Sequence, residues 1–117
     1  MATDLGPAVE AIWQRSRNEI ARRIATLEEA VAAMLAGDLT DELRVRAVRD
    51  AHKLAGCLAM FGFATGSELA AEVERALGRS DTSPPRDVLS LAASVVALRG
   101  EFELRSRACV VRQLAVS

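Results

Sequence analysis

From Ile12 to Leu35 the apolar residues Ile12, Trp13, Ile20, Ile24, Leu27, Val31, Met34 and Leu35 recur at steps near three and four. That repeat is one face of an α-helix. It predicts a long amphipathic helix over about 6–36, with Arg15, Arg17, Arg22, Arg23, Glu28 and Glu29 mostly on its other faces. Such a helix must bury its stripe, so the rest of the chain has to supply packing partners. "GDLTDEL" (37–43) reads as a stop followed by a start. Gly37 suits a helix C-terminus, Asp38 or Thr40 an N-cap, and Asp41 and Glu42 an acidic first turn. A second helix follows over about 41–61 and ends at Gly62 and "ATGS" (64–67). Thr65 or Ser67 caps a short third helix through Leu77, closed by Gly78. "RSDTSPP" (79–85) is a loop, with Ser83 as cap and Pro84 at a first helical position. Val88, Leu91, Ala92, Val95, Leu98 and Phe102 then predict a fourth helix. Beyond Glu103 the pattern weakens, and for residues 106–117 extension, pairing and fraying all stay open.

Alanine, leucine, arginine and glutamate dominate, and the aromatics are one Trp, three Phe and no Tyr. A sheet would want more β-branched and aromatic residues, so the composition supports packed helices. At 117 residues the chain can bury one real core. The expectation is an all-α fold, an antiparallel four-helix bundle with short loops, forming a single domain over 1–117. Four helices can bury their own stripes and no long exposed heptad seam is evident, so a monomer is expected. The opening Met1 and short ends favour a standalone chain.

Net charge is −1, which gives no electrostatic case for nucleic acid or an anionic membrane. The N-terminus lacks a basic segment followed by an apolar one, and so reads as no signal peptide. The longest uncharged run, Leu54–Ser67, is fourteen residues, short of the roughly 20 that span a bilayer. Cys57 and Cys109 are too few for a disulfide scaffold and read as buried thiols of a reducing, cytosolic compartment. There is no Gly-rich phosphate loop, hence no expectation of ATP binding. Glu68, Glu72 and Glu74 look scattered, not paired toward one point.

One histidine, His52, stands in "RDAHKLAGCLAMFGFATGSELAAEVE" (49–74). At about 100° per residue from Ala51, the residues Ala47, Val48, Leu54, Ala55, Leu58 and Gly62 fall on one face, with Phe61 just beyond. His52 lies on its margin. Gly56 falls beside it one turn on, flanked on the core side by Ala55 and Ala59, so no long side chain shields the ring. Arg46, Arg49 and Lys53 form a basic strip next to it. Arg44 points toward the core face but lies in the first turn, with solvent in reach. Cys57 falls about 140° around the helix from His52, and one His with two Cys makes no zinc or haem site. Gly56 has two readings, open approach to the ring or close helix–helix packing. Met60, Phe61 and Phe63 read as core or a plug at the helix end, with a docking patch as the alternative.

"AHKLAGCLAMFGF" followed by "SELAAEVE" resembles the histidine-containing phosphotransfer (HPt) domain family. Members carry a His, a Gly four residues later, a further Gly near the helix end and a following helix of Leu-Ala-x-x-Leu-Glu type. Many also carry Lys three residues after the His, where this chain has Ala55, and Lys53 is the nearest cation in sequence. The resemblance implies that His52 is a phosphoacceptor and the protein a carrier without ATP chemistry of its own. It also implies response-regulator receiver domains, or a hybrid histidine kinase, as partners. Mg²⁺ is then needed only on the receiver, beside its aspartate. Gly56 would admit that active site, and Lys53, Arg49 and Arg46 would suit its acidic pocket and the phosphate's roughly −2 charge. The alternative within signalling is a dimerising histidine-kinase helix pair, but "HKLAGC" lacks its adjacent acid and its proline. A plain helical docking module with His52 unused is the rival reading.

Overall fold

The computed structural model describes residues 6–78 and 88–116, with side chains through Arg107. Four α-helices are present, α1 Gly6–Ala36, α2 Asp41–Met60, α3 Ala64–Gly78 and α4 Val88–Val116, and no strand occurs among the described residues. The α1 and α3 helices each pack on both α2 and α4, so α2 and α4 sit on opposite corners of a square bundle. Ser83, Pro84 and the loop placed at 79–85 lie outside the described residues.

Two turns of one design connect α1 to α2 and α2 to α3. Gly37 has φ +75°, and Gly37 N and Asp38 N donate to the carbonyls of Met34 and Ala33 at 3.1 and 2.8 Å. Gly62 repeats this with φ +81°, while Gly62 N and Phe63 N donate to Ala59 and Leu58 at 3.0 and 2.9 Å. Each is a Schellman ending, which needs a left-handed residue that glycine adopts without strain. Thr40, not Asp38, caps α2: its hydroxyl oxygen accepts from Leu43 N at 3.1 Å, with Asp41 and Glu42 in the first turn.

The third helix departs from expectation. Neither Thr65 nor Ser67 caps it, because the Gly62 turn is tight enough for α3 to begin at Ala64, with Phe63 O accepting from Ser67 N at 2.9 Å. Ser67 spends its hydroxyl across the hairpin instead, donating to Ala55 O at 2.7 Å. Gly66 is buried, and a Cβ there would meet Leu58 Cδ1 at 3.2 Å, so α2 and α3 come close at this end. Arg44 does not escape to solvent. It reaches over the end of α3 and donates to Leu77 O at 3.3 Å, satisfying a terminal carbonyl.

The core runs through Ile20, Ile24, Leu27, Val31, Ala47, Ala51, Leu54, Leu58, Val73, Leu77, Leu91, Val95 and Leu98. All four aromatic rings gather at one end. Trp13 meets Phe61 and Phe63 edge-on, with centroids 5.2 and 5.1 Å away, and Phe102 at 5.8 Å. Phe61 is buried, Phe63 lies half-buried under Arg105, and Met60 is exposed. Ile12 and Leu35 of the α1 stripe are exposed as well. The α4 helix settles the open tail by continuing to Val116. No described helix is long and apolar enough to cross a membrane.

Candidate functional site

The α2 arc that faces α1 and α3 carries Ala47, Ala51, Leu54 and Leu58, all buried. That burial fixes the rotation of α2 and turns His52 outward, leaving its side chain 74 % exposed. The ring is not free. Nδ1 lies 2.9 Å from Glu74 Oε2 of α3, whose side chain is only 31 % exposed. A carboxylate can only accept, so Nδ1 carries the proton and a neutral ring presents the Nε2 lone pair away from Glu74.

Glu74 was not apparent as a partner in the sequence, where the three α3 glutamates look scattered. A signal was there all the same. His52 and Glu74 each lie eleven residues from Phe63, at the α2–α3 turn, so the folded hairpin sets them level with each other.

Gly56 sits one turn beyond His52 with open space where a Cβ would point. Close packing within the bundle therefore does not explain this glycine. Ala59 beside it is exposed and Ala55 half-buried, so the surface past the imidazole stays low.

The basic strip is less uniform than its spacing suggests. Arg46 is exposed and pairs with Glu29 of α1 at 3.4 Å. Lys53 is exposed on the α1 side. With Arg22, the main cause, and Arg23, it helps hold the Glu19 carboxyl below the usual range. Arg49 is exposed and makes no ion pair among the described residues. The structure brings a carboxylate to the imidazole, and sets these cations around the helix from it.

Cys57 is half-buried, and burial pushes its thiol up despite the opposing charge of Arg23, so it is a poor nucleophile. The Cys109 side chain lies outside the described residues. Among the described residues no three His, Cys, Asp or Glu side chains are placed to hold a metal ion.

Another acid escaped the sequence reading. Asp50 is 5 % exposed, and its Oδ1 takes a hydrogen bond of 3.0 Å from Arg23 Nη1 of α1, while Oδ2 has no partner. Arg23 also meets Glu19 at 3.0 Å. This cluster clamps α2 to α1 beside the turn that carries His52.

The Nδ1 contact makes a direct prediction. In ¹H–¹⁵N spectra of the ring nitrogens, neutral His52 should be mostly the Nδ1-protonated tautomer. Glu74→Gln, which keeps an acceptor, should preserve that preference, and Glu74→Ala should lose it. Equal tautomer populations in the wild type would show that Glu74 does not position the ring.

A family model described as Hpt domain matches residues 11–106. No curated protein and no solved structure gives a significant match. The match spans the bundle from the first turns of α1 well into α4 and takes in both His52 and Glu74. The chain belongs to the histidine-containing phosphotransfer domain family, whose members serve histidine phosphotransfer in two-component systems.

Proposed function

We propose that this protein is a phosphocarrier in which His52 exchanges a phosphoryl group with the aspartate of response-regulator receiver domains. One observation carries the reading: the exposed imidazole is held through Nδ1, with Nε2 left without a hydrogen-bond partner and open space at Gly56 one turn on, among the described residues. In the transfer step the Nε2 lone pair attacks phosphorus of a receiver aspartyl phosphate. The N–P bond forms, the P–O bond to the carboxylate breaks, and the receiver keeps the electron pair as its free aspartate. The ring then bears positive charge at Nδ1–H, against which Glu74 lies. The return transfer retraces these steps.

A loose transition state of this kind asks for in-line placement and charge stabilisation more than for general acid–base work. The carrier supplies an oriented nitrogen and open approach. Mg²⁺ and the acidic pocket belong to the receiver, and no metal is required on this chain. Arg49, with no competing ion pair among the described residues, is the cation best placed to meet that pocket, while Arg46 and Lys53 contribute longer-range attraction. Ala55 and Ala59 keep the contact surface flat. The setting proposed is a cytosolic relay fed by a receiver or a hybrid histidine kinase.

The test is transfer from receivers pre-charged with labelled phosphate. Acid-labile, base-stable label on this chain is the expected result. Receivers that bind without loading it would leave a docking module instead.

Gly56 separates docking from stability. Gly56→Ala should leave the fold intact or stabilise it by up to about 1 kcal/mol, since helix propensity improves and the new Cβ meets nothing. The same methyl should slow receiver transfer several-fold by standing in the approach path. Unchanged transfer in a stabilised variant would remove Gly56 from the contact surface.

A further inference from the structure

A cavity of about 300 Å³ lies between α4 and the α2–α3 turn, at the end of the bundle where the aromatic rings gather. That volume is the low end of the roughly 300–1,000 Å³ that hold small ligands. Its wall is apolar, with rings from Trp13, Phe63 and Phe102 and an aliphatic side from Leu98. Glu101 and Arg105 of α4 also line it. Glu101 is exposed and Arg105 half-buried, so the cavity opens to solvent beside two opposite charges.

The state of those charges is the second observation. Four residues apart on one helix, their positions are about 6 Å apart, and a Glu on the N-terminal side of an Arg at this spacing ordinarily pairs with it. Here neither side chain makes an ion pair or a hydrogen bond among the described residues. The Arg105 guanidinium instead lies over the Phe63 ring, 4.5 Å from its centroid. That contact fixes the cation at the mouth and leaves its N–H donors unused. Glu101 keeps a carboxylate with no donor to accept from.

An apolar chamber with one unpaired anion and one unpaired cation at its mouth matches a ligand that carries both charges on an apolar body. A lone acid would meet Arg105 but face Glu101 as well, and a lone amine would do the reverse. A carboxylate and an ammonium on the same carbon satisfy both. The carboxylate accepts from the Arg105 fork, the ammonium donates to Glu101, and the side chain goes inward against the rings. We infer that this cavity binds a free α-amino acid with an aromatic or branched aliphatic side chain.

A ligand of about twelve non-hydrogen atoms in a site open on one side gives a dissociation constant on the order of 0.1–1 mM. The α2 helix lies diagonally across the bundle from α4, so a filled cavity leaves His52 open.

Trp13 is the one tryptophan of the chain and lines the cavity, so its emission reports occupancy in the intact protein. Titration with L-phenylalanine or L-leucine should shift that emission saturably, and each should raise Tm. 3-Phenylpropionate lacks the amine and 2-phenylethylamine lacks the carboxylate. Each should bind about tenfold more weakly than L-phenylalanine, the scale of one charge-assisted hydrogen bond. Glycine, with both charges and no apolar body, should leave the emission unchanged. Glu101→Gln should weaken L-phenylalanine about tenfold without weakening 3-phenylpropionate, and Arg105→Gln should do the same without weakening 2-phenylethylamine. Circular dichroism controls for folding in both variants. No saturable change with either amino acid overturns the inference. Analogues that bind as tightly as L-phenylalanine overturn it too, because the site would then be a plain apolar cavity, and so do Gln variants that bind like the wild type. These readouts need no phosphotransfer, so they stand or fall apart from the role of His52.

Discussion

Replacing His52 by Gln is expected to abolish stable phosphorylation, with label from any charged receiver falling to background. The glutamine amide nitrogen has its lone pair delocalised into the carbonyl and cannot form the N–P bond that imidazole forms. The variant should otherwise be nearly silent. The side chain is 74 % exposed and its polar contact is Glu74, so stability should change by no more than about 0.5 kcal/mol. Receiver affinity should also persist, because Gly56, Ala59 and Arg49 remain. A variant that folds, binds and does not load would isolate the chemistry at one atom, Nε2. Label that survives the substitution would move the acceptor elsewhere. Its stability to acid and base would then tell an acyl phosphate on a nearby carboxylate from a second phosphoramidate.

The parts of the site that were legible in the sequence are those set by spacing along one helix. His52, Gly56, Ala55 and Ala59 are tied by the helical repeat, and so was the outward turn of the ring, since the buried arc of α2 is continuous from Ala47 to Leu58. Gly37 and Gly62 were legible for a different reason, because a left-handed helix ending selects glycine from local backbone geometry alone. What stayed hidden depended on contacts between helices. Glu74 meets His52 across the α2–α3 hairpin, and its level is set by how tightly Gly62 turns the chain. The same tight turn moved the start of α3 ahead of Thr65 and Ser67, a shift that cap preferences cannot foresee. Ile12, Leu35 and Met60 fit the apolar pattern yet stay exposed, because periodicity marks a face without saying how far the partner helices reach along it. On α4 the exposed Leu89, Val96 and Leu104 lie opposite the buried Leu91, Val95, Leu98 and Phe102, and two opposed apolar faces blur the single-stripe pattern of an amphipathic helix.

Asp50 is the clearest case of chemistry that only the packed structure shows, and its pairing with Arg23 carries a large stability effect. Its carboxylate, side chain 7 % exposed, has Arg23 as its hydrogen-bond partner, and Oδ2 already lacks one. Arg23→Ala leaves a buried carboxylate without its ion-pair partner, with only the charge of Arg22 still acting on it. The side chain of Arg23 is itself 18 % exposed, so solvent offsets part of the loss, and a cost of about 2–3 kcal/mol is expected. That corresponds to a fall in Tm of about 10 °C for a domain of this size. Asp50→Ala should cost distinctly less, because Arg23 keeps its 3.0 Å pair with Glu19 and its access to water. The double replacement Arg23→Met with Asp50→Leu should recover most of the wild-type stability, since it removes both desolvation penalties while filling the same seam. Thermal or urea unfolding of the three variants gives the cycle directly. Equal losses in the two single variants would show that the pair acts as an ordinary surface bridge. A double variant no better than Arg23→Ala would show that the clamp between α1 and α2 works through its charges and not through its shape. Because α2 carries His52 and is held to α1 at this point, loosening the clamp should also slow receiver transfer in Arg23→Ala, while the double variant should restore transfer along with stability.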